Sequence, residues 1–419
     1  MLGRSGRERD YTRCSIGPRM RIVLPFCPGV PHGFYRDFFE GLSEAIRERG
    51  DEAARFPIAD VGTHGVEEST ALYRELERGC DLFLDLCCWG HGLTRFGVQQ
   101  PSAPPRPILD ALGVPYVGML FDQPYFQPIN GVCAQRLFAT CPDLGHREQV
   151  RLVFPDLALA GDAFAPPAVR PENAFPASDW SQRDIDLLYV GNLDLNALRR
   201  PWQGTPSEPV CEAVAQLVRE QPERPFHLGM MEILRRRSVP ASLQEIGHLV
   251  GMLELFVRAS FRHDVVVALA RAGIRLLVVG RGWEGVALPG NARCVPPVAY
   301  EQIFRLAGRS RVCVDASTYL SGANDRVFNY ALNGAVCFTN AAGYLRSAMG
   351  NDEWLGFYSM QDLAALAEEV RALLAEPRRL REMGEAGKRA VLARHTWRER
   401  LQTILTATSL SSPPPRRAP

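Results

Sequence analysis

The stretch VDASTYLSGANDRVFNYALNGAVCFTN, residues 314–340, decides the fold. Its apolar start predicts a buried strand that ends at Ser317, and a loop of small residues follows. A helix is expected to begin after Asn324, a favoured N-cap residue, and to end at Gly334 before a second apolar strand. Strand, loop, helix and strand in this order are typical of a parallel α/β sheet.

The same alternation of apolar runs and amphipathic helices extends to both sides of this stretch, with a segment rich in Pro, Ala, Asn and Ser (161–182) between two halves. Each half predicts a parallel sheet covered by helices, so the chain is expected to form two Rossmann-like domains facing a cleft. Ligands of such sheets bind beyond the carboxyl ends of the strands. The predicted strands are 20–26, 80–88, 114–121, 150–154, 184–191, 274–280, 311–317 and 334–340.

Composition and charge narrow the class of protein. The chain has 419 residues, 46% hydrophobic and 23% charged, which excludes a mainly disordered or collagen-like chain. Its formal net charge of +1 gives no overall attraction to nucleic acid. No apolar run reaches the ~20 residues of a membrane span, and the first 18 residues lack the apolar core of a signal peptide. The 11 cysteines include no CxxC pair, so we expect a cytoplasmic protein with reduced thiols.

Arginine supplies almost all of the positive charge. Lys388 is the sole lysine, so 47 of the 48 basic residues are arginines. Lys388 lies in a charged helical stretch without the glycine-rich context that a phosphate-binding lysine needs. A bound phosphate must therefore be held by arginine, hydroxyl or backbone N–H groups.

Polar residues gather at the expected helix start within 314–340. Gly322 allows a close approach of backbone, and the free N–H groups of a helix start can hold an anion. Asp325, Arg326 and Asn329 occupy the first turns, with 325 and 329 on one face. This spacing fits a diphosphate at the helix end with a polar contact to a ribose one turn on. It fits an ordinary capped helix between two strands equally well.

The segment resembles the donor-site motif of GT-B glycosyltransferases, in the CgeB-like (spore-maturation-protein-like) group. That group's pattern is roughly Asn-Asp-Arg-Val-Phe-Glu followed by a helix, and residues 324–329 follow it except that Asn329 replaces the Glu. The run at 374–405 is similar to the closing helices of the group, and the resemblance covers roughly 184–405 well. It implies a C-terminal domain that binds a nucleotide-diphospho-sugar and an N-terminal domain that presents the acceptor.

The resemblance also implies roles for individual residues. Loops after two donor-domain strands would face the donor diphosphate or base, a tyrosine would precede the helix before the site strand, and Asn329 would stand where a Glu accepts hydrogen bonds from the ribose. The donor-binding residues so implied are Gly191, Asn192, Gly280, Arg281, Tyr300, Ser317, Gly322, Asn324, Asp325, Arg326 and Asn329.

The candidate base lies in the acceptor half. An inverting transfer needs a group that removes the proton of the acceptor hydroxyl, and His32, His91 and Asp122 each follow an expected strand. Each of the three fits an ordinary loop residue bonded to nearby backbone as well, and a retaining enzyme would need no such base. No cluster has metal-ligand spacing, so we expect neither a metal nor a cofactor beyond the nucleotide-sugar substrate.

The expected fold is thus α/β with GT-B architecture, and the expected activity is metal-independent transfer of a sugar to a cell-surface glycan, lipid-linked or protein acceptor, with possible peripheral membrane contact. A catalytically silent GT-B protein that binds nucleotide sugars and a sugar-nucleotide epimerase are the alternatives. The predicted division is a disordered tail (1–18), the acceptor domain (19–165), a linker (166–183), the donor domain (184–397), a helix that packs back on the N-terminal domain (398–407) and a second disordered tail (408–419).

Overall fold

The computed structural model describes residues 19–30, 33–61, 64–100, 103–175, 180–238, 241–341, 343–349 and 353–410. The predicted tail at 1–18 and residues 411–419 of the other tail lie outside these ranges. Residues 408–410 do not form a tail, because Thr408 and Leu410 are buried and the Leu410 N–H donates to the Leu405 carbonyl.

The first half of the chain forms a six-stranded parallel sheet in the order β2-β1-β3-β6-β7-β8, with a separate antiparallel pair, β4 and β5. Its elements are β1 (Arg21–Phe26), α1 (Gly33–Glu48), β2 (Glu52–Pro57), α2 (Val66–Glu77), β3 (Leu82–Leu86), β4 (Gly97–Gln100), β5 (Ala103–Pro107), α3 (Ile108–Leu112), β6 (Tyr116–Met119), β7 (Leu137–Cys141), α4 (Leu144–Val153) and β8 (Gly161–Phe164).

The expected strand at 150–154 is wrong, because these residues lie in and just after α4. The Asp143 side chain accepts from the Gly145 N–H and caps this helix, and Val150 and Val153 are buried three residues apart on one helical face. The last strand of this sheet is instead β8, which pairs with β7 and lies in the segment that composition alone marked as a connection.

The second half forms another six-stranded parallel sheet, in the order β11-β10-β9-β12-β13-β14. Its elements are β9 (Ile185–Val190), α5 (Leu195–Leu198), α6 (Glu208–Glu220), α7 (Phe226–Arg236), α8 (Leu243–Arg271), β10 (Leu276–Val279), β11 (Ala292–Val295), α9 (Tyr300–Arg309), β12 (Ser310–Asp315), α10 (Asp325–Leu332), β13 (Val336–Thr339), α11 (Gly343–Met349), β14 (Leu355–Phe357), α12 (Leu363–Leu374), α13 (Pro377–Arg394) and α14 (Trp397–Ala407).

Helices cover both faces of each sheet, and most of the buried side chains of the strands are Val, Leu, Ile, Phe and Cys. This explains why the apolar runs predicted the central strands, since a strand buried on both faces has no polar face to break the run. The α/β class with two Rossmann-like sheets is confirmed.

The last helix returns to the first half, as expected. The Trp397 ring at the start of α14 lies 5.2 Å from the Phe38 ring of α1. A Cβ at Gly41 would lie 2.2 Å from Trp397 Cδ1, so α1 and α14 can meet this closely only because residue 41 is glycine. The chain passes from the first half to the second near Val169 and returns near Thr396, and a parallel bridge between these two residues places the two connecting segments side by side.

Helix α8 also joins the halves, because the Tyr125 ring of the first half packs on its Gly247 and Gly251. Among the described helices, none is both long enough and apolar enough to cross a membrane.

Candidate functional site

A cavity of about 260 Å³ lies between the two halves, beyond the carboxyl ends of β6 and β12. Its lining differs from side to side: the first half contributes aromatic side chains, and the second half contributes three arginines and the loop after β12. The lining residues are Phe34, Phe38, Phe121, Pro167, Arg258, Arg262, Ala316, Ser317, Thr318, Tyr319, Asn324, Asp325 and Arg326.

The start of α10 holds Arg326 in this cavity. The Asn324 side chain accepts from the Arg326 N–H at 2.9 Å, and its Nδ2 donates to both oxygens of Asp315 at 2.8 Å. The Arg326 guanidinium lies 3.2 Å from Asp315 and donates to the Val190 carbonyl at 3.1 Å. Burial alone would lower the pKa of Arg326, but the Asp315 carboxylate together with Tyr330, Tyr189 and Asp325 makes the net shift upward. Arg326 is therefore a fixed cation at the ends of β9 and β12.

Helix α8 supplies two more cations, Arg258 and Arg262, one turn apart. Arg258 Nη2 donates to Asp122 Oδ1 at 2.6 Å, and its Nε donates to Glu254 Oε1 at 3.0 Å. Thr318 Oγ1 donates to the same Glu254 oxygen at 2.8 Å. Burial raises the pKa of Glu254, although Arg258 opposes that shift. Arg258 thus has a carboxylate partner from each half of the chain.

Arg262 differs from its two neighbours because no described carboxylate forms an ion pair with it. Its Nη1 donates to the Asn192 carbonyl at 2.8 Å, and its buried Nε has no partner among the described residues. Burial lowers the pKa of Arg262, and repulsion from Arg326 and Arg258 lowers it further. A cation in such surroundings is stabilised by an anionic ligand.

Four of the predicted donor residues form the adjoining rim. The Asn192 side chain accepts from the Arg281 N–H at 2.9 Å and so ties the loop after β9 to the loop after β10. A Cβ at Gly280 would lie 2.2 Å from the carbonyl oxygen of Gly191, so only glycine allows this close approach of the two loops. The bond from Arg262 to Asn192 connects the rim to the arginines.

Tyr300, Asp325 and Asn329 form a hydrogen-bonded group of which only Asp325 lines the cavity. Tyr300 donates from its hydroxyl to Asp325 Oδ2 at 2.8 Å, and Asn329 Nδ2 donates to the Tyr300 hydroxyl at 3.3 Å. Burial raises the pKa of both Tyr300 and Asp325. Asn329 is only 2% exposed and is not among the cavity-lining residues, and its side chain is linked to the cavity by way of Tyr300 and Asp325.

The candidate bases lie in different places. Asp122 is not among the lining residues, but its carboxylate is bound to Arg258, which lines the cavity. Burial alone would raise the pKa of Asp122, and its contacts with Arg258 and with the Gln123 N–H make the net shift downward. His91 is not among the lining residues: its Nδ1 bonds the Cys88 carbonyl at 3.0 Å, and its ring lies against Gly131 of the same half. His32 lies outside the described residues.

The two remaining donor candidates, Ser317 and Gly322, lie in the loop after β12. Ser317 lines the cavity, and its backbone N–H donates to Asn340 Oδ1 at 2.8 Å. Gly322 is directed to the other half, where a Cβ would lie 2.0 Å from the Pro142 carbonyl oxygen. The loop is therefore also part of the contact between the halves. The roles assigned to all of these residues stay predictions.

Sequence reasoning missed Arg258 and Arg262. A signal was present in LELFVRASFRHDVVV (253–267): both arginines lie in a largely apolar stretch, and no acidic residue lies three or four positions from Arg262. An arginine so placed has no partner on its own helix and must find one elsewhere. Among the described residues, no group of three or more His, Cys, Asp or Glu side chains is arranged to hold a metal ion.

Residues 262–406 match a family described as glycosyl transferase-like. The matched segment runs from Arg262 to the end of α14 and contains Arg326 and the rest of the predicted donor motif. The narrower CgeB-like group stays a prediction. No curated protein matches the chain significantly.

Solved structures with a similar fold cover nearly the whole chain. Sucrose-phosphate synthase from Thermosynechococcus elongatus has a TM-score of 0.54 and 14% identity, over 94% of this chain and 99% of that one. A glycosyltransferase involved in avilamycin A biosynthesis has a TM-score of 0.51 and 13% identity, over 93% and 97%. A glycosyltransferase from Rickettsia africae has a TM-score of 0.52 and 8% identity, over 93% and 98%. These likenesses establish the GT-B fold, and together with the family match they support a transferase.

Proposed function

We propose that this chain is a glycosyltransferase that binds a nucleotide-diphospho-sugar through its second half and transfers the sugar, without a metal ion, to an acceptor bound by its first half. The acceptor classes that fit are a cell-surface glycan, a lipid-linked saccharide and a protein. The observation that carries the proposal is the convergence of Arg258, Arg262 and Arg326 on one cavity, with no described carboxylate paired to Arg262.

The three arginines would bind the diphosphate of the donor. Guanidinium groups bind phosphate oxygens in a forked geometry, and fixed cations stabilise the negative charge that develops on the leaving nucleoside diphosphate. Asn324 and Asp315 already hold Arg326 in place, so its position costs little further ordering when the ligand binds. This arrangement supplies positive charge without a divalent cation.

We infer that the nucleoside lies along the adjoining rim. The loops after β9 and β10 continue from Arg262 through Asn192 to Arg281. An α-glucosyltransferase of similar fold, with a TM-score of 0.51 and 10% identity, is described in complex with UDP and DNA. UDP therefore belongs among the nucleotides to be tested first.

The first experiment is calorimetric titration of UDP, GDP, ADP, CDP and dTDP into the wild-type chain, into Arg262→Gln and into Arg235→Gln. Loss of a charge-assisted hydrogen bond costs about 1.5 to 3 kcal/mol, so Arg262→Gln should weaken binding of the preferred nucleotide by about tenfold or more. Arg235 is exposed on α7, and its variant should bind like wild type. Equal affinity of all three chains, or no binding by wild type, would contradict the proposal.

Turnover then separates the alternatives. Release of nucleoside diphosphate that depends on an added acceptor supports transfer. Binding without turnover over a broad acceptor panel favours a silent nucleotide-sugar-binding protein. Conversion of the donor with no second substrate favours an epimerase.

A further inference from the structure

Arg258 is the one cavity arginine whose carboxylate partners come from both halves of the described chain. Glu254 lies one turn earlier on α8, at 3.0 Å from Arg258 Nε. Asp122 follows β6 in the first half, and its Oδ1 lies 2.6 Å from Arg258 Nη2. The same guanidinium therefore both links the halves and lines the cavity.

The two partners differ in how firmly they are held. Glu254 is 0% exposed, and its Oε1 also accepts from Thr318 Oγ1, so the bond between Glu254 and Arg258 lies wholly within the second half. The Asp122 side chain is 40% exposed. Its other bond is to the N–H of the next residue, Gln123. Water can therefore replace Arg258 at Asp122 at low cost, but it cannot do so at Glu254.

The charges around the cavity show why one partner must leave. Three arginines face four carboxylates, those of Asp122, Glu254, Asp315 and Asp325. The last three are held by hydrogen bonds from their own half, so the carboxylate that an incoming diphosphate can displace is that of Asp122.

We propose that Asp122 and the donor diphosphate compete for Arg258, so that donor binding releases Asp122, while Glu254 keeps Arg258 in position throughout. This rests on the proposed function, because it needs a diphosphate among the arginines. The released carboxylate follows Phe121, which lines the cavity from the first half, the half proposed to bind the acceptor, and it becomes free to accept a hydrogen bond from an acceptor hydroxyl. Donor would then bind before acceptor.

Competition predicts a direction for the change in diphosphate affinity that a merely structural ion pair does not predict. Removing the charge of Asp122 should tighten diphosphate binding, whereas removing the charge of Glu254 should weaken it, because Arg258 loses its fixed anchor. The test measures the affinity of inorganic pyrophosphate and of the preferred nucleoside diphosphate for wild type, Asp122→Asn, Glu254→Gln and Asp156→Asn. Asp156 is an exposed carboxylate of the first half and serves as the matched control.

We expect Asp122→Asn to lower the dissociation constant by about two- to fivefold, the range for release from a partly exposed ion pair, and Asp156→Asn to leave it unchanged. Equal or weaker binding by Asp122→Asn, with normal binding by wild type, overturns the competition and leaves the proposed function standing. No binding of pyrophosphate or of any nucleoside diphosphate by wild type overturns both. Asp122→Asn removes no buried contact other than the one to Arg258, so a folding failure of Glu254→Gln leaves the decisive comparison intact.

Discussion

Acid should weaken the contact between the two halves through His146. This side chain is 1% exposed, and its ring lies 5.0 Å from the Tyr319 ring of the other half. It borders a second cavity, of about 20 Å³, whose lining also includes Gln149 and His227. Neither ring nitrogen of His146 has a partner among the described residues. Nothing there stabilises the protonated form by a direct hydrogen bond.

Burial lowers the pKa of His146 from 6.5 to about 3, and the nearby Asp122 charge offsets only part of that shift. The unfolded chain therefore binds a proton at this residue below about pH 6.5, whereas the folded chain does not until about pH 3. The contribution to stability is complete above pH 6.5 and is lost progressively as the pH falls. At pH 5 the free energy of unfolding should have lost about 2 kcal/mol through this residue.

The test is urea denaturation of wild type and His146→Gln at pH 7.5 and pH 5. Burial raises the pKa of Asp85 to about 7 and that of Asp143 to about 6, so both carboxyl groups stabilise the folded chain more as the pH falls. A measurement on wild type alone would therefore not reveal the opposite effect of His146. The informative quantity is the stability of the variant relative to wild type, which should rise by about 2 kcal/mol between the two pH values. His248→Gln, at an exposed position on α8, is the matched control. An unchanged difference for His146→Gln would refute the reasoning.

Three further predictions concern single side chains. Arg183 is buried and donates to the carbonyls of Ala307, Ser310 and Asn333 at the ends of α9 and α10; Arg183→Met should lower the free energy of unfolding by about 3 kcal/mol, measured in urea. Gly280→Ala should cost about 2 kcal/mol and weaken nucleotide binding, because its Cβ would collide with the backbone after β9. Burial raises the pKa of Asp85 to about 7, against 3.8 when unfolded, so wild type loses stability as the pH rises from about 4 to about 7. Asp85→Asn should therefore gain about 2 to 3 kcal/mol relative to wild type between pH 5 and pH 8.

The centre of each sheet could be predicted from the sequence, but its edges could not. β3 and β12 are buried on both faces, and their apolar residues therefore stand out from the more polar sequence around them. The edge strands β2 and β11 read EAARFP and ARCV, in which polar residues face solvent and the apolar signal is lost. β8, with the sequence GDAF, is recognisable only by its pairing with β7.

The cap of α10 was predictable because it is local: Asn324, Asp325 and Arg326 follow one another in sequence. The hydrogen-bond and ion-pair partners of these residues could not be predicted from the sequence. Asp315 precedes Asn324 by nine positions, and the Arg258 that shares the cavity with Arg326 comes from a helix far earlier in the chain. The pairing of Asp122 with Arg258 depends on how the two halves meet, which no short stretch of sequence records.

The first half lines the cavity with aromatic rings and the second half with arginines, and this difference suggests a different contribution of each half to ligand binding. Phe34, Phe38 and Phe121 carry no charge, and they line the cavity together with the three arginines. Apolar rings exclude water, and the attraction between a guanidinium and a phosphate grows as water is removed. Under the proposed function, the first half would thus strengthen donor binding by lowering the local dielectric constant rather than by direct ion pairs. It follows that truncating Phe121 should weaken diphosphate binding even though the ring makes no polar contact with the ligand.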